Sequence, residues 1–481
     1  MEAKMLKGTR KAAVLGLAGL MVASLISCGG KDKGNMTKEE LAAHKTAAKE
    51  YAKDGYKIRK NPVTKKDYDL EGMKIIVADW WSNSNGLQSV EPQNERDAAD
   101  KNFRKFLMEE YNMDIDQYGI DDWGTHPETV ANFCTTGGEE NYVFVADSRS
   151  ISAGLKAGLF YDLNKIKSVD WNAAKWDKTI NAKMTKGNSL YGVRHLAPEP
   201  RYGLFYNKRL LKEAGIDPEK PYDLQKAGEW TWDAWEEMLK ATTRDLDNDG
   251  IPDTYGMAHN TSYICHMAVE SNEGKLIVKD ANGNYVLNFL DDKCVEAMNW
   301  INQMGVLYQK PQPEGSNWDW FMSAFVNGEI AFCCEQQYMM SNWANNPDEW
   351  GFVNFPYGPS NASKINYTMH DDWVFVIPGC YDDARAEKIA QAFDLWSDDT
   401  PGYDDPDAWK ESYYSLAKDT RAVDETLQMQ RDNPNAIIHG MISGLEWGNV
   451  FWGIYPWGGS YVEACEAQKA SFQGLIDEQN R

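Results

Sequence analysis

Strand-like and helix-like segments alternate along most of this chain, and the alternation starts afresh near residue 201. That restart constrains the fold more than any other feature. Met73 to Ala78 is a short β-branched run and predicts a strand. Asp97 to Tyr111 has helical spacing at Phe103, Phe106, Leu107 and Tyr111. Met113 to Tyr118 predicts a second strand, Thr129 to Cys134 a short helix, and Tyr142 to Ala146 a third strand. The second series opens with a strand over Gly203 to Tyr206 and a helix over Lys208 to Ala214, stopped by Gly215. Thr231 to Thr242 is amphipathic behind an N-capping Thr231. Leu276 to Phe289 predicts a hairpin turning at Asn282-Gly283. Helices over Asp291 to Leu307 and Trp320 to Asn327, a strand over Glu329 to Cys333, and a helix over Asp383 to Trp396 follow. Such alternation predicts mostly parallel sheets with helices on their faces. A chain of 481 residues exceeds what one core holds. Two α/β units of roughly 200 residues each are therefore expected.

The N-terminus reads as an address. Lys4, Lys7, Arg10 and Lys11 precede an uncharged run from Ala12 to Ser27, the order of a secretory signal. The run is a little short of the roughly 20 apolar residues that span a bilayer. Leu25-Ile26-Ser27-Cys28 resembles a bacterial lipobox, which implies cleavage before Cys28 and acylation of that cysteine. Gly29 to Asn35 is small and polar, and predicts a flexible tether.

The formal charge is −23, and the signal segment carries a net +3, so the chain from Cys28 onward stands at −26. That excess argues against nucleic acid, whose phosphates need clustered Lys and Arg, and against an anionic membrane surface. The membrane is reached through the lipid alone. Seven cysteines besides Cys28 are an odd number, without CxxC spacing, so neither a zinc site nor a disulfide framework is expected.

Several stretches resemble one family. Leu204-Phe205-Tyr206-Asn207-Lys208 with Glu213-Ala214-Gly215-Ile216, Trp230 to Trp235, Phe325 to Ala331, and Trp350 to Pro356 are similar to ordered motifs of family 1 extracellular solute-binding proteins, as is Gly158 to Leu163. These are carbohydrate receptors of ABC importers, related to maltose-binding protein. The resemblance implies an α/β, two-lobe periplasmic-binding-protein-like fold of type II, its lobes joined by hinge strands, with ligand in the cleft between them. By that likeness residues 1–27 are the signal and 28–67 the tether with an N-terminal helix. Residues 68–198 with 371–440 form the first lobe, and 201–370 with 441–481 the second. The expected function is capture of a carbohydrate, an oligosaccharide, for ABC permease subunits in the membrane, by a monomer without catalysis. An extracellular carbohydrate-active enzyme and a sugar-sensing receptor remain as alternatives.

Nineteen Trp and 24 Tyr fit a sugar cleft. Aromatic faces cover the apolar C–H faces of a pyranose, and polar side chains satisfy its hydroxyls. Ligands of open α/β sheets sit beyond the carboxyl ends of strands. That rule selects Asp79, Trp80, Trp81, Asn83 and Asn85 after the first strand, and Asp147 and Arg149 after the third. Glu335 and Tyr338 follow a second-lobe strand, and by family likeness Tyr338 occupies the place of a sugar-stacking aromatic. Asp371, Asp372 and Trp373 lie near the expected return crossing. Trp318 and the aromatic, glycine-rich stretch with Trp447, Trp452 and Trp457 complete the candidates. Trp230, Trp232 and Trp235 are expected in the core of the second lobe.

Asp245, Asp247, Asp249 and Asp253 form D-x-D-x-D-G-x-x-D, with the Ile251 carbonyl as a further donor. Alternating oxygens around a tight glycine turn suit Ca²⁺. The twelfth position is Gly256 instead of Glu, so this is not a full EF-hand loop, and a structural Ca²⁺ is expected.

Overall fold

The computed structural model describes residues 56–481 apart from 196–198, 200, 367, 369–372, 404–406, 408, 433–441 and 443. Its strands are β1 Met73–Asp79, β2 Met113–Gly119, β3 Tyr142–Ala146, β4 Thr185–Lys186, β5 Ser189–Leu190, β6 Tyr202–Asn207, β7 Tyr255–Met257, β8 Ile277–Lys279, β9 Tyr285–Leu287, β10 Ile330–Gln336, β11 Trp350–Val353 and β12 Val374–Val376.

The first sheet has the order β12-β3-β1-β2. β1 runs parallel to β2 and β3, and β12 returns antiparallel to β3. Ile75, Val77, Val143, Phe144 and Val145 are fully buried in it. The helix Glu95–Glu110 is capped by Asn94, whose side chain accepts from Asp97 N, and lays Phe103, Phe106 and Leu107 on the sheet. The helix Asp383–Trp396 follows β12 and supplies Ile389, Phe393 and Leu395 to the same core.

The second sheet, β11-β6-β10-β7, departs from the parallel expectation. β6 lies between β10 and β11 and runs against both, so only the β10–β7 pair is parallel. Helical crossovers connect β7 to β10 and keep that pair parallel. Trp230, Trp232 and Trp235 are buried here, and Trp232 stacks on Trp300 at 4.0 Å. The hairpin β8–β9 turns at Gly283, whose φ is +85°.

Two assignments need correction. Residues 371–440 do not all belong to the first lobe. Trp409, Tyr413, Leu416, Ala422 and Leu427 pack with Phe325, Met340 and Trp343 of the second. Hydrogen bonds fix that excursion: Gln225 Nε2 donates to Thr426 Oγ1 at 2.9 Å, and Thr426 Oγ1 donates to Phe352 O at 2.7 Å. The first lobe also begins before residue 68. Tyr56 packs on Phe103 and Phe106, and Arg59 pairs with Asp394 at 2.5 Å and Asp398 at 2.9 Å. Among the described residues the seven cysteines are free, six buried and Cys380 exposed. No described helix is long and apolar enough to cross a membrane. Cys28 lies outside the described residues.

Candidate ligand-binding cleft

A cleft of about 2300 Å³ separates the lobes. That exceeds the several hundred to 1,000 Å³ usual for a small-ligand site. Of the 19 tryptophans five are exposed: Trp81, Trp123, Trp318, Trp452 and Trp457. All five line this cleft. Exposed large aromatics are costly unless something covers them, and their confinement to one concavity marks a binding surface.

The first wall is built at the carboxyl ends of β1 to β3. Trp81 packs against Trp80 at 4.8 Å and Trp373 at 5.7 Å. The Arg194 guanidinium lies 3.7 Å over the Trp373 ring. Asp79, expected to touch ligand, does something else. It is fully buried and absent from the lining. Its carboxylate accepts from Trp81 N (2.9 Å), Ser82 N (2.8 Å), Ser82 Oγ (2.6 Å) and Gln117 Nε2 (2.5 Å). Four donors occupy it, so it fixes the loop that presents Trp81. Asn83 and Asn85 also stay outside the lining. The Asn83 side chain accepts from Asn85 N and closes the turn.

Asp147 and Arg149 both line the cleft. Asp147 is the N-cap of the helix Ser148–Ala157 and holds Arg149 through Nε at 2.8 Å and Nη2 at 2.5 Å. The guanidinium then lies 4.0 Å over the ring of Trp123 and donates to its carbonyl. Trp123 was not among the sequence candidates, although it stands just beyond β2, where the strand-end rule points.

On the second wall the pleat of β10 decides which side chain faces the cleft. Gln336 and Tyr338 line the cleft; Glu335 does not, being only 1% exposed. Glu335 keeps one hydrogen bond, from Gln336 N to Oε2 at 3.0 Å, and burial pushes its carboxyl up to about 7. Gln336 Nε2 donates to Tyr263 Oη at 3.4 Å and Tyr338 Oη at 3.3 Å. Arg201 lies 5.8 Å from the Tyr338 ring. His259 lines the floor with Nδ1 accepting from Cys334 N at 2.6 Å, and burial lowers it to about 3, so its ring is neutral at ordinary pH. Trp318, Trp452 and Trp457 stand exposed in the cleft, whereas Trp447 lines it but is buried. Trp447 is 4% exposed and packs on Phe451 and Phe472. Asp371 and Asp372 lie outside the described residues; Trp373 lines the cleft. Arg201, His259, Gln336 and Arg431 are lining residues that the sequence reading missed.

The Asp-rich loop lies outside the cleft lining. Asp245, Asp247 and Asp253 bring carboxylate oxygens within 4.8 Å of one another. Asn248 and Gly250 take positive φ, +63° and +92°, to close the turn. Asp249 is not in that group; its Oδ1 accepts from Ile251 N. Three hard carboxylate oxygens on a tight loop fit Ca²⁺.

Residues 129–395 match the family model described as bacterial extracellular solute-binding protein. A curated relative, the polygalacturonan/rhamnogalacturonan-binding protein YtcQ of Bacillus subtilis (strain 168), is 26% identical over 159 residues. That match takes in 32% of this chain and 30% of the relative's length. Among solved structures, UgpB from Mycobacterium tuberculosis in complex with glycerophosphocholine aligns with TM-score 0.58 at 13% identity, over 84% of this chain and 99% of that one. The cyclic alpha-maltosyl-1,6-maltose binding protein from Arthrobacter globiformis gives 0.57 at 15%, over 85% and 100%. These likenesses concern the fold: two α/β lobes about a cleft. With its family model matched across more than half its length, the chain belongs to the bacterial extracellular solute-binding proteins.

Proposed function

We propose that this protein is the carbohydrate receptor of an ABC importer, catching an oligosaccharide between its lobes and presenting it to permease subunits. The observation that carries this is the gathering of all five exposed tryptophans in one cleft. Rings on both walls suit the two apolar faces of a pyranose, and Gln336, Arg149 and Arg201 supply polar partners for hydroxyls. The volume favours several sugar units over one. Acidic oligosaccharides are the first class to try. The curated relative is named for polygalacturonan and rhamnogalacturonan. Among the described residues the lining carries five Lys and Arg (Arg149, Lys183, Arg201, Lys310, Arg431) against three Asp and Glu (Asp147, Asp177, Glu446), the reverse of the chain's overall balance. Acyl chains on Cys28 would hold the receptor, as a monomer, on the outer face of the cell membrane. The loop of Asp245, Asp247 and Asp253 would bind Ca²⁺ as a structural ion.

Among the described residues both cores are built from Tyr56 onward, so a chain starting at Gly29 retains every described core residue. Titrating it with neutral and uronate-containing oligosaccharides, with tryptophan fluorescence as readout and chromatography for cleavage, tests the reading. Saturable binding without cleavage is expected. Cleavage, or no response across the panel, overturns it.

A further inference from the structure

The last helix, Tyr461–Gln479, belongs to the second lobe, with Tyr461, Cys465, Phe472 and Ile476 buried in that core. Its far end is clamped as well. Asn480 Oδ1 accepts from Tyr285 N at 2.8 Å, and Asn480 Nδ2 donates to Tyr285 O at 2.9 Å. From this fixed base two side chains reach the first lobe. Ser152 Oγ donates to Gln479 Oε1 at 2.8 Å, and Lys156 pairs with Glu478. Ser152 is only 5% exposed. Ser152 and Lys156 follow Ser148 at i+4 spacing, on one face of the helix Ser148–Ala157. Ser148 itself lines the cleft. One rigid helix thus has its start at the ligand surface and its next two turns at the tip of the opposite lobe.

These contacts coexist with a wide cleft whose exposed tryptophans stand on both walls. We propose that the tip of the C-terminal helix is a latch that holds the lobes in this open arrangement, so that closure requires its release. The Lys156 ammonium also holds the Glu478 carboxyl below its ordinary range. Both partners are largely exposed, 61% and 55%, so the latch is weak and salt-sensitive. Breaking it should shift the closed-to-open ratio by roughly 1.4- to 5-fold.

Cys380 is the one exposed cysteine of the seven described and carries one dye. A cysteine introduced by Lys226→Cys on the second lobe carries the other. Single-molecule energy transfer on the ligand-free chain starting at Gly29 then counts closed molecules. Lys156→Met and Gln479→Ala should each raise the closed fraction within that range, and Lys156→Glu with Glu478→Lys should restore it. Salt at about 1 M, where screening reaches within roughly 3 Å, should raise it in the parent and leave Lys156→Met unchanged. A closed fraction that stays level or falls in both single variants overturns the latch, as does a rise that the charge swap fails to reverse.

Discussion

Replacing Asp79 separates two roles that a carboxylate at a strand end can have. As a ligand contact, its loss would weaken binding and leave the fold intact. The structure gives it the other role: fully buried, with its two oxygens taken by Trp81 N, Ser82 N, Ser82 Oγ and Gln117 Nε2. Hydrogen bonds to a charged acceptor contribute about 1.5–3 kcal/mol each. The four do not add, because the loop's two backbone N–H groups reach water once it opens. Gln117 Nε2 loses its partner whether or not the loop opens. Asp79→Ala should therefore destabilise the first lobe by about 3–5 kcal/mol, near the upper end for single substitutions. Asp79→Asn keeps one acceptor oxygen but turns an N–H₂ toward donors, and should cost about 1–3 kcal/mol. Urea unfolding followed by circular dichroism measures both. A loss below about 1 kcal/mol for Asp79→Ala, with sugar binding abolished, would refute the anchoring role and return Asp79 to the ligand.

Trp123→Ala and Trp457→Ala remove side chains that are 62% and 74% exposed; stability should stay within about 0.5 kcal/mol, while calorimetric affinity for the identified sugar falls about 5- to 30-fold. Ca²⁺ should raise the melting temperature of the parent chain but not of Asp247→Ala; absence of any Ca²⁺ effect on the parent would remove the metal site. Glu335→Gln probes the carboxyl that burial raises to about 7. Its folded value lies above its unfolded one, so it favours the folded state below about pH 4.5 and loses that contribution as pH rises toward 7. Measured as a difference from the parent, Glu335→Gln should be near neutral at pH 4 and stabilising by about 3 kcal/mol at pH 8; a pH-independent difference would contradict the shift.

The elements that could be read from sequence are those whose apolar residues recur at the spacing of the element itself. Tyr142–Ala146 and Asp383–Trp396 have the expected bounds, because each presents a continuous or 3.6-spaced apolar face to the core. The helix Tyr461–Gln479 was missed. Its buried residues Tyr461, Cys465, Phe472 and Ile476 are interrupted by a full turn of small and polar ones, so no stripe stands out. The excursion through residues 409–427 was given to the wrong lobe, since chain order carries no information about which of two neighbouring cores a polar-rich segment covers.

The site was legible at the level of loops and not of side chains, and β10 gives the reason. Its end borders the cleft, but a strand alternates faces with a period of two. An uncertainty of one residue in register therefore exchanges a cleft-facing Gln336 for a core-facing Glu335. Asp79 and Arg149 differ in the same way. Asp79 ends β1 and Arg149 follows β3, yet the carboxylate turns back to hold its own loop while the guanidinium runs forward over Trp123. Only the hydrogen-bond donors around each group decide that, and Gln117, the donor that closes the Asp79 cage, comes from the neighbouring strand 38 residues away. Trp123 shows the converse. No local pattern marks it, but the rule that ligands gather beyond the carboxyl ends of strands, applied to β2 as it was to β1 and β3, leads to it. Topology thus locates a binding surface from sequence more securely than residue chemistry does, because the sheet order fixes where strands end while each side chain's role is settled by partners distant in the chain.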